Sequence, residues 1–128
     1  MLHPKVYFVV DKPSKNNLDP SVPLIGTPSY KIFLNWCADM KVDVTKINIV
    51  NQSDHPFDAN VGFMNTMVKK DLLKIVCMGT AAKKYAIDSG IEEFFLLPHP
   101  SPANKASHRP NKLNPKLEQC RSYIYSEA

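Results

Sequence analysis

The sequence lacks any run of about 18 apolar residues, the length that a membrane-spanning helix needs. Its N-terminal stretch MLHPKVYFVVDKP contains an apolar run that is too short for the hydrophobic region of a signal peptide and is followed directly by Asp11. We therefore expect a soluble, cytoplasmic protein without a targeting segment or a membrane partner.

Cysteine is scarce, and its three copies form no motif. Cys37, Cys77 and Cys120 are widely separated and lie in apolar sequence. An odd number at such spacings argues against a disulfide framework, a zinc site and an iron–sulfur cluster. We interpret all three as buried thiols, and we expect no bound metal and no cofactor.

Internal repeats and low-complexity tracts are also absent from the sequence. With 128 residues, of which 44% are hydrophobic, the chain has the size of one domain with one core. We predict a single domain over residues 1–128, and we expect it to be a monomer.

Acidic residues are few in the last quarter of the chain. Residues 98–128 carry five Lys and Arg side chains against two Glu, a net +3 of the formal charge of +4. Such a basic segment indicates a polyanionic partner, although a charge run is more often a solvated face.

Four short apolar runs rich in β-branched or aromatic residues predict strands. They are KVYFVV (5–10), KINIV (46–50), LKIVCM (73–78) and EFFLLP (93–98). Segments with helical periodicity lie between and after them. The predicted helices are one that begins at Thr27-Pro28 with Tyr30, Phe33, Leu34 and Cys37 at helical spacing, one over 60–73, one over 80–89 with Gly90 as its C-cap, and one opened by Asn114-Pro115 that carries Leu117, Cys120 and Ile124.

Near-continuous apolar strands that alternate with helices indicate a parallel sheet buried on both faces. The predicted fold class is therefore α/β, a three-layer α/β/α domain with a central four-stranded parallel sheet. Ligands of such sheets bind outside the carboxyl ends of the strands. This rule directs attention to the loops that begin at Asp11, Asn51, Gly79 and Pro98.

The first three loops differ in how strongly they indicate a site. DKPSKNNLDPSVPLIGTPS holds four prolines, which fix φ and reduce the entropy lost when a loop is ordered. Asn51 offers a donor and an acceptor side by side, as one edge of a nucleobase requires, although on its own an Asx turn explains it better. Met78-Gly79-Thr80 predicts a tight turn into a helix and gives only weak support for an anion site.

The fourth loop carries the strongest signal, because Pro98-His99-Pro100-Ser101-Pro102 holds a histidine between two prolines. Such a histidine has lost backbone freedom before any ligand arrives, so its ring can be aimed. Ser101 offers a donor to a phosphate, and cationic side chains follow at Lys105, Arg109 and Lys112.

These residues resemble the motifs of the uracil-DNA glycosylase superfamily. LPHPSPANK resembles the histidine-bearing second motif of uracil-DNA glycosylases and of the single-strand-selective branch. VVDKPS is similar to the first motif, VPLIG to the segment with the base-stacking aromatic residue, and INIVN to the uracil-reading strand. The order of these matches covers nearly the whole chain, which is shorter than typical members, and the HPSP segment is the specific one.

The resemblance implies a role for each matched residue. His99 would donate an N–H to the uracil oxygen on which negative charge collects as the glycosidic bond breaks. Asn51 would read the edge of the flipped base and exclude cytosine. Contacts to DNA phosphates would come from Ser14, Ser101, Lys105 and Arg109.

The first motif departs from the family pattern. Lys12 stands where the family carries a water-positioning Asp or Asn, and Asp11 lies one residue earlier. Hydrolysis would then depend on Asp11 in that role, or on His99 and the substrate's own charge. In a different route, a neutral Lys12 amine would attack the sugar carbon directly and give a Schiff-base intermediate. The chain could also bind without cutting.

Two further departures concern the base. Leu24 or Ile25 replaces the stacking aromatic residue, which keeps an apolar wall but loses π-stacking. Ala103 stands at the position of the wedge and is too small to fill the gap that a flipped base leaves in a duplex. A single-stranded substrate fits this sequence better.

The expected function is that of a DNA glycosylase in DNA repair, which flips uracil or a related modified pyrimidine out of single-stranded DNA and hydrolyses its N-glycosidic bond. One alternative is a catalytically silent DNA- or base-binding module of the same fold. Another is an enzyme that acts on a modified nucleotide. Binding to DNA would place the protein at the nucleoid, or in the nucleus of a eukaryotic or viral host.

Overall fold

A four-stranded sheet forms the centre of the molecule. The computed structural model describes residues 5–10, 28–51, 57, 60–98 and 110–125, with the backbone alone at 28–30, 51 and 110–114. The strands are β1 (Lys5–Val10), β2 (Ile47–Asn51), β3 (Leu73–Met78) and β4 (Phe95–Leu97), in the spatial order β2-β1-β3-β4. Each pairing in this sheet is parallel, which confirms the predicted parallel sheet.

Helices connect or follow the strands in the described part of the chain. They are α1 (Pro28–Met40), α2 (Val61–Lys69), α3 (Thr80–Ser89) and α4 (Pro110–Ile124). A 3-10 turn over Val44–Lys46 precedes β2, and its cap is the Asp43 carboxylate, which accepts from the Thr45 N–H at 2.9 Å. Within these ranges no helix is long and apolar enough to cross a bilayer.

The sheet is buried on both faces, as its near-continuous apolar strands predict. In β1 the side chains of Val6, Phe8 and Val10 belong to the core beneath α1 and α4, and those of Tyr7 and Val9 belong to the core beneath α2 and α3. Because successive side chains of a strand point to opposite faces, a strand with no polar face requires a layer of helices on each side. The three-layer α/β/α architecture is therefore confirmed.

The placement of the helices follows from the strand order. The chain moves from β1 to β2 on one side, and then crosses back past β1 to reach β3 and β4 on the other. Because parallel crossovers are right-handed, this reversal of direction moves the connecting helix to the opposite face. Accordingly α1 packs with α4 on one face, whereas α2 and α3 pack on the other.

The buried stripe of α1 is rotated from the predicted one. Phe33, Trp36, Cys37 and Met40 are buried, whereas Leu34 is only half-buried. The segment KIFLNWCADM has apolar residues on several sides, so its periodicity alone allows more than one stripe. Contact with the sheet selects the stripe, and the ring of Phe33 meets that of Phe8 edge-on at 5.0 Å.

The bounds of β1, β3 and α3 agree with the predicted ones, but α2 ends earlier than predicted. The pattern predicts a helix over 60–73, whereas α2 ends at Lys69. Asp71 adopts a φ of 58°, which turns the chain away from the helix axis and allows Leu73 to begin β3.

The last helix begins earlier than predicted, and the last strand is shorter. α4 begins at Pro110 and not at Asn114-Pro115. Proline suits the first position of a helix, so the sequence allows a start at either place. Pro115 consequently lies inside α4. The buried stripe of Leu117, Cys120 and Ile124 is confirmed. Only Phe95–Leu97 of the predicted fourth strand pairs with β3.

The short β4 leaves the first half of β3 to be covered by α4. Pairing with β4 begins at Val76, and before it the Ile75 N–H donates to the Tyr123 hydroxyl at 3.3 Å. The Lys74 side chain is buried, with its Nζ 2.9 Å from an Asp71 carboxylate oxygen and 5.0 Å from the centre of the Tyr123 ring. A helix thus takes the place of strand pairing along this part of the sheet.

Candidate functional site

The carboxyl ends of the strands meet at one edge of the sheet because all pairings are parallel. Asn51, the last residue of β2, lies opposite Val10, the last residue of β1. At the other side of this edge, Met78 at the end of β3 lies opposite Leu97 at the end of β4. The loops that begin at Asp11, Asn51, Gly79 and Pro98 therefore leave the sheet at the same edge, as the sequence predicts.

The centre of this edge is a topological switch point. β1 and β3 are neighbours, but the chain continues from β1 toward one side of the sheet and from β3 toward the other. Connections that diverge in this way leave a crevice at the carboxyl ends of the two strands, and ligands of open α/β sheets bind there. Asp11 follows β1 in the sequence, and Gly79 follows β3.

Gly79 shapes the wall of the crevice at the end of β3. Its φ of 95° and ψ of 167° belong to a region that is essentially restricted to glycine. This conformation turns the chain from β3 into α3 within one residue. The Gly79 N–H donates to the Leu97 carbonyl at 2.8 Å, so the end of β4 is fixed beside the end of β3. The predicted tight turn into a helix is confirmed.

β2 and β4 are the two outer strands of the sheet. Asn51 ends β2, and His99 follows β4 after Leu97 and Pro98. Three interstrand spacings separate β2 from β4, a distance of about 14 Å. Side chains that extend inward from two such strands can contact opposite edges of one ligand above the ends of β1 and β3.

The structure describes one of the predicted site residues, and only its backbone. Asn51 occupies the strand-end position that the sequence predicts. The other predicted site residues lie outside the described residues; they are Asp11, Lys12, Ser14, Leu24, Ile25, His99, Ser101, Lys105 and Arg109.

Three helices direct their N-termini toward the edge of the candidate site: α3 begins directly after Gly79, α1 ends shortly before the amino end of β2, and Tyr123 near the end of α4 packs on Phe95, the first residue of β4. None of the three has an acidic residue in its first turn. The N-terminus of a helix carries about half a positive charge, which carboxylates in the first turn would offset. This edge of the molecule therefore favours an anionic ligand.

Two lysines that the motif analysis did not select strengthen this charge. Lys83 and Lys84 are exposed in the first half of α3, and the only acidic residue of that helix, Asp88, lies in its last turn. This arrangement opposes the helix dipole, which favours acidic residues near the N-terminus and basic ones near the C-terminus. The order of the charges within TAAKKYAIDS is the signal that could have identified them.

The connection after β2 is held against α3 by an aromatic pair. The Phe57 N–H donates to the Tyr85 hydroxyl at 2.9 Å, and the two rings stack with their centres 5.4 Å apart. Phe57 is fully buried. Sequence reasoning missed this contact, although an isolated Phe within the polar stretch NQSDHPFDAN indicates a buried anchor.

The cysteines do not contribute a nucleophile. Cys37, Cys77 and Cys120 are buried and free, which confirms their interpretation as buried thiols. Burial raises the pKa of each thiol to about 12, so all three are uncharged at neutral pH. Among the described residues no group of three or more His, Cys, Asp or Glu side chains could hold a metal ion.

Comparison with known proteins adds no assignment: no family model, no curated protein and no solved structure matches this chain.

Proposed function

We propose that this protein is a DNA glycosylase that excises uracil or a related modified pyrimidine from single-stranded DNA. The observation that carries the proposal is that β4, which the HPSP run follows in the sequence after Pro98, ends at the same edge of the sheet as β2, which ends in Asn51. A base above the ends of β1 and β3 would lie between these two strands.

The proposed chemistry assigns the two outer strands different tasks. Asn51 pairs with the edge of the flipped base, which selects uracil over cytosine. His99 donates an N–H to the base oxygen that becomes negative as the glycosidic bond breaks. The base leaves as an anion, and water adds to the sugar carbon. The proton that this water loses balances the one that the base anion takes up. Leu24 and Ile25 supply an apolar wall for the base.

The charge of this edge supports DNA as the partner. Three helix N-termini without acidic first turns, together with Lys83 and Lys84, attract phosphates without regard to sequence. The sequence adds Ser14, Ser101, Lys105 and Arg109 as phosphate-binding residues. Ala103 in place of a wedge side chain favours single-stranded DNA, because a duplex would have to be unstacked without one.

Lys12 supports a second candidate, a DNA- or base-binding module without catalytic activity. A protonated amine cannot accept a proton from water, and it stands where the resembled family carries the water-positioning Asp or Asn. If the protein is a hydrolase, either Asp11 takes this role or hydrolysis relies on His99 and the substrate's own negative charge. An enzyme that acts on a modified nucleotide would use the same crevice and pair of outer-strand residues.

The deciding experiment uses a single-stranded oligonucleotide with one uracil. We expect the protein to produce an alkali-labile site at the uracil, and His99→Ala to reduce the rate by about 100-fold or more, since a donor to a developing anion is worth that much. His108→Ala is the matched control, because it removes an imidazole from the same segment outside the HPSP run.

The remaining outcomes separate the candidates. Salt-dependent binding of the oligonucleotide without cleavage would favour the silent module. A covalent adduct trapped by borohydride, and lost in Lys12→Ala, would indicate attack by the lysine amine. The proposal is overturned if the protein neither binds nor cleaves the oligonucleotide, whether or not the DNA contains uracil.

A further inference from the structure

A groove lies at the amino ends of the strands, on the edge opposite the candidate site. It is bounded by α2 and by the first residues of β1 and β3, and it encloses about 190 Å³. This volume is below the roughly 300 Å³ of typical small-molecule sites, and it suits one or two side chains of another polypeptide. The residues that line it are Lys5, Tyr7, Asn60, Phe63, Met64, Met67 and Leu73.

Phe63 is the most exposed of the large hydrophobic residues in the described ranges. Two thirds (67%) of its surface is accessible, so the fold gains little from an aromatic ring at this position. Met64 and Met67 lie beside it in the groove. Methionine side chains adapt to varied partners, and exposed aromatic rings are frequent anchors of interfaces.

Gly62, the neighbour of Phe63, has no explanation within the described fold. It lies in α2, where glycine weakens a helix relative to alanine, and its φ is not in the left-handed region. A Cβ at this position would meet no atom within 4 Å. A glycine that neither backbone conformation nor internal packing requires is commonly a place where another backbone approaches closely.

The charge of the groove indicates which partner fits. Lys5 is the only Lys, Arg, Asp or Glu in its lining, and no carboxylate among the described residues forms an ion pair with it. A symmetric pair of copies would bring Lys5 and its own equivalent into one interface, which like-charge repulsion disfavours. An acidic segment with apolar side chains complements both the charge of Lys5 and the apolar lining of the groove.

We propose that this groove docks an acidic amphipathic helix from a partner protein. One of its apolar side chains enters the groove against Phe63 and Met67. Its backbone crosses α2 at Gly62, and its carboxylates face Lys5. This interaction is independent of the DNA-binding edge, so it stands or falls separately from the proposed function.

The test uses a fluorescein-labelled 15-residue helical peptide with Leu at positions i, i+3, i+4 and i+7 and Glu at its polar positions. A second peptide carries Lys in place of Glu. Fluorescence anisotropy should show at least tenfold tighter binding of the Glu peptide. Phe63→Ala should weaken this binding at least fivefold. Ile87→Ala, which removes an exposed side chain from α3, is the matched control and should leave it unchanged.

Gly62→Ala separates binding from folding. It should raise the melting temperature by about 3 °C, since alanine suits a helix better than glycine, and it should weaken peptide binding at least fivefold. The proposal is overturned if binding is unaffected by both Gly62→Ala and Phe63→Ala. A dimer in sedimentation of the protein alone, abolished by Phe63→Ala, would identify a second copy as the occupant and would also overturn it.

Discussion

Two glycines of this chain differ in whether their backbone conformation requires glycine. Gly79 lies at the end of β3 with a φ of 95°, where other residues are strained, and its N–H contacts the Leu97 carbonyl. Gly62 lies in a helix, where any residue is accommodated. The same substitution should therefore have effects of opposite sign at the two positions.

We predict that Gly79→Ala lowers the free energy of unfolding by about 1–3 kcal/mol, because alanine must either adopt the strained conformation or displace the turn. Gly62→Ala should instead stabilise the protein by about 0.5–1 kcal/mol. Urea denaturation of the two variants measures both effects. Equal free energies for Gly79→Ala and the unchanged protein would show that the turn is not constrained as described.

Some residue-level contacts could not be predicted from the sequence because they join distant segments. The buried Asn65 amide donates to the Gly90 carbonyl at 2.8 Å and accepts from the Glu92 N–H at 3.0 Å, which links α2 to the segment after α3. The Lys74 contact with the Tyr123 ring is of the same kind. A polar residue in a helix or strand carries no local signal of such a partner.

Elements with a uniform apolar sequence were predicted most accurately. All six residues of β3 are buried, and its bounds follow directly from LKIVCM. Gly90, in the left-handed conformation, ends α3 where the sequence predicts. In contrast, both Pro110 and Pro115 suit the first position of a helix, and no local pattern tells which of them begins α4. Local patterns thus define what an element is better than where it begins.

The lysines of α3 allow a test of the charged edge. We predict that Lys83→Ala combined with Lys84→Ala weakens binding of single-stranded DNA roughly tenfold near 0.1 M salt. The slope of log affinity against log salt should become shallower by about 1.4, because two phosphate contacts are lost. Fluorescence anisotropy at several salt concentrations measures both quantities.

The control for this pair removes the same charge from the opposite edge. Lys41 follows α1 and Lys46 precedes β2, and both are exposed near the amino ends of the strands. Lys41→Ala combined with Lys46→Ala should leave the salt slope unchanged. Equal effects of the two pairs would mean that net charge, and not the edge of the strand ends, governs binding.

The whole molecule should lose stability at alkaline pH because it buries thiol and phenol groups that ionise there. Burial raises the pKa of the three cysteine thiols from 9.0 to about 12, and it raises the pKa of Tyr123 from 10.0 to about 12. Between these values the unfolded chain releases protons that the folded chain retains. Their contribution to stability is therefore complete below about pH 9 and is lost as the pH rises toward 12.

We predict that the urea midpoint, measured with a reductant, falls steadily from about pH 9 to pH 11. Tyr123→Phe should make the fall shallower above pH 10, since it removes one of the four groups, although it also removes the acceptor of the Ile75 N–H. A midpoint that stays constant or rises over this range would contradict the burial of these groups.

At the scale of the whole molecule, the sequence predicted which loops share an edge but not how they are spaced. Alternation of strands and helices indicates a parallel sheet, which places Asn51 and Pro98 on the same edge. Which strands are neighbours depends on long-range pairing, and no local pattern encodes it. The order β2-β1-β3-β4 therefore supplies the separation between Asn51 and the end of β4, which the sequence could not.

The same order has a geometric consequence for the shape of a ligand. Neighbouring strands of a sheet are rotated against each other by about 20–25°, so β2 and β4 diverge by roughly 60–75° across three steps. The carboxyl ends of these two outer strands therefore point in directions that differ by this angle. A flat ring that contacts both strand ends would lie oblique to the mean plane of the sheet.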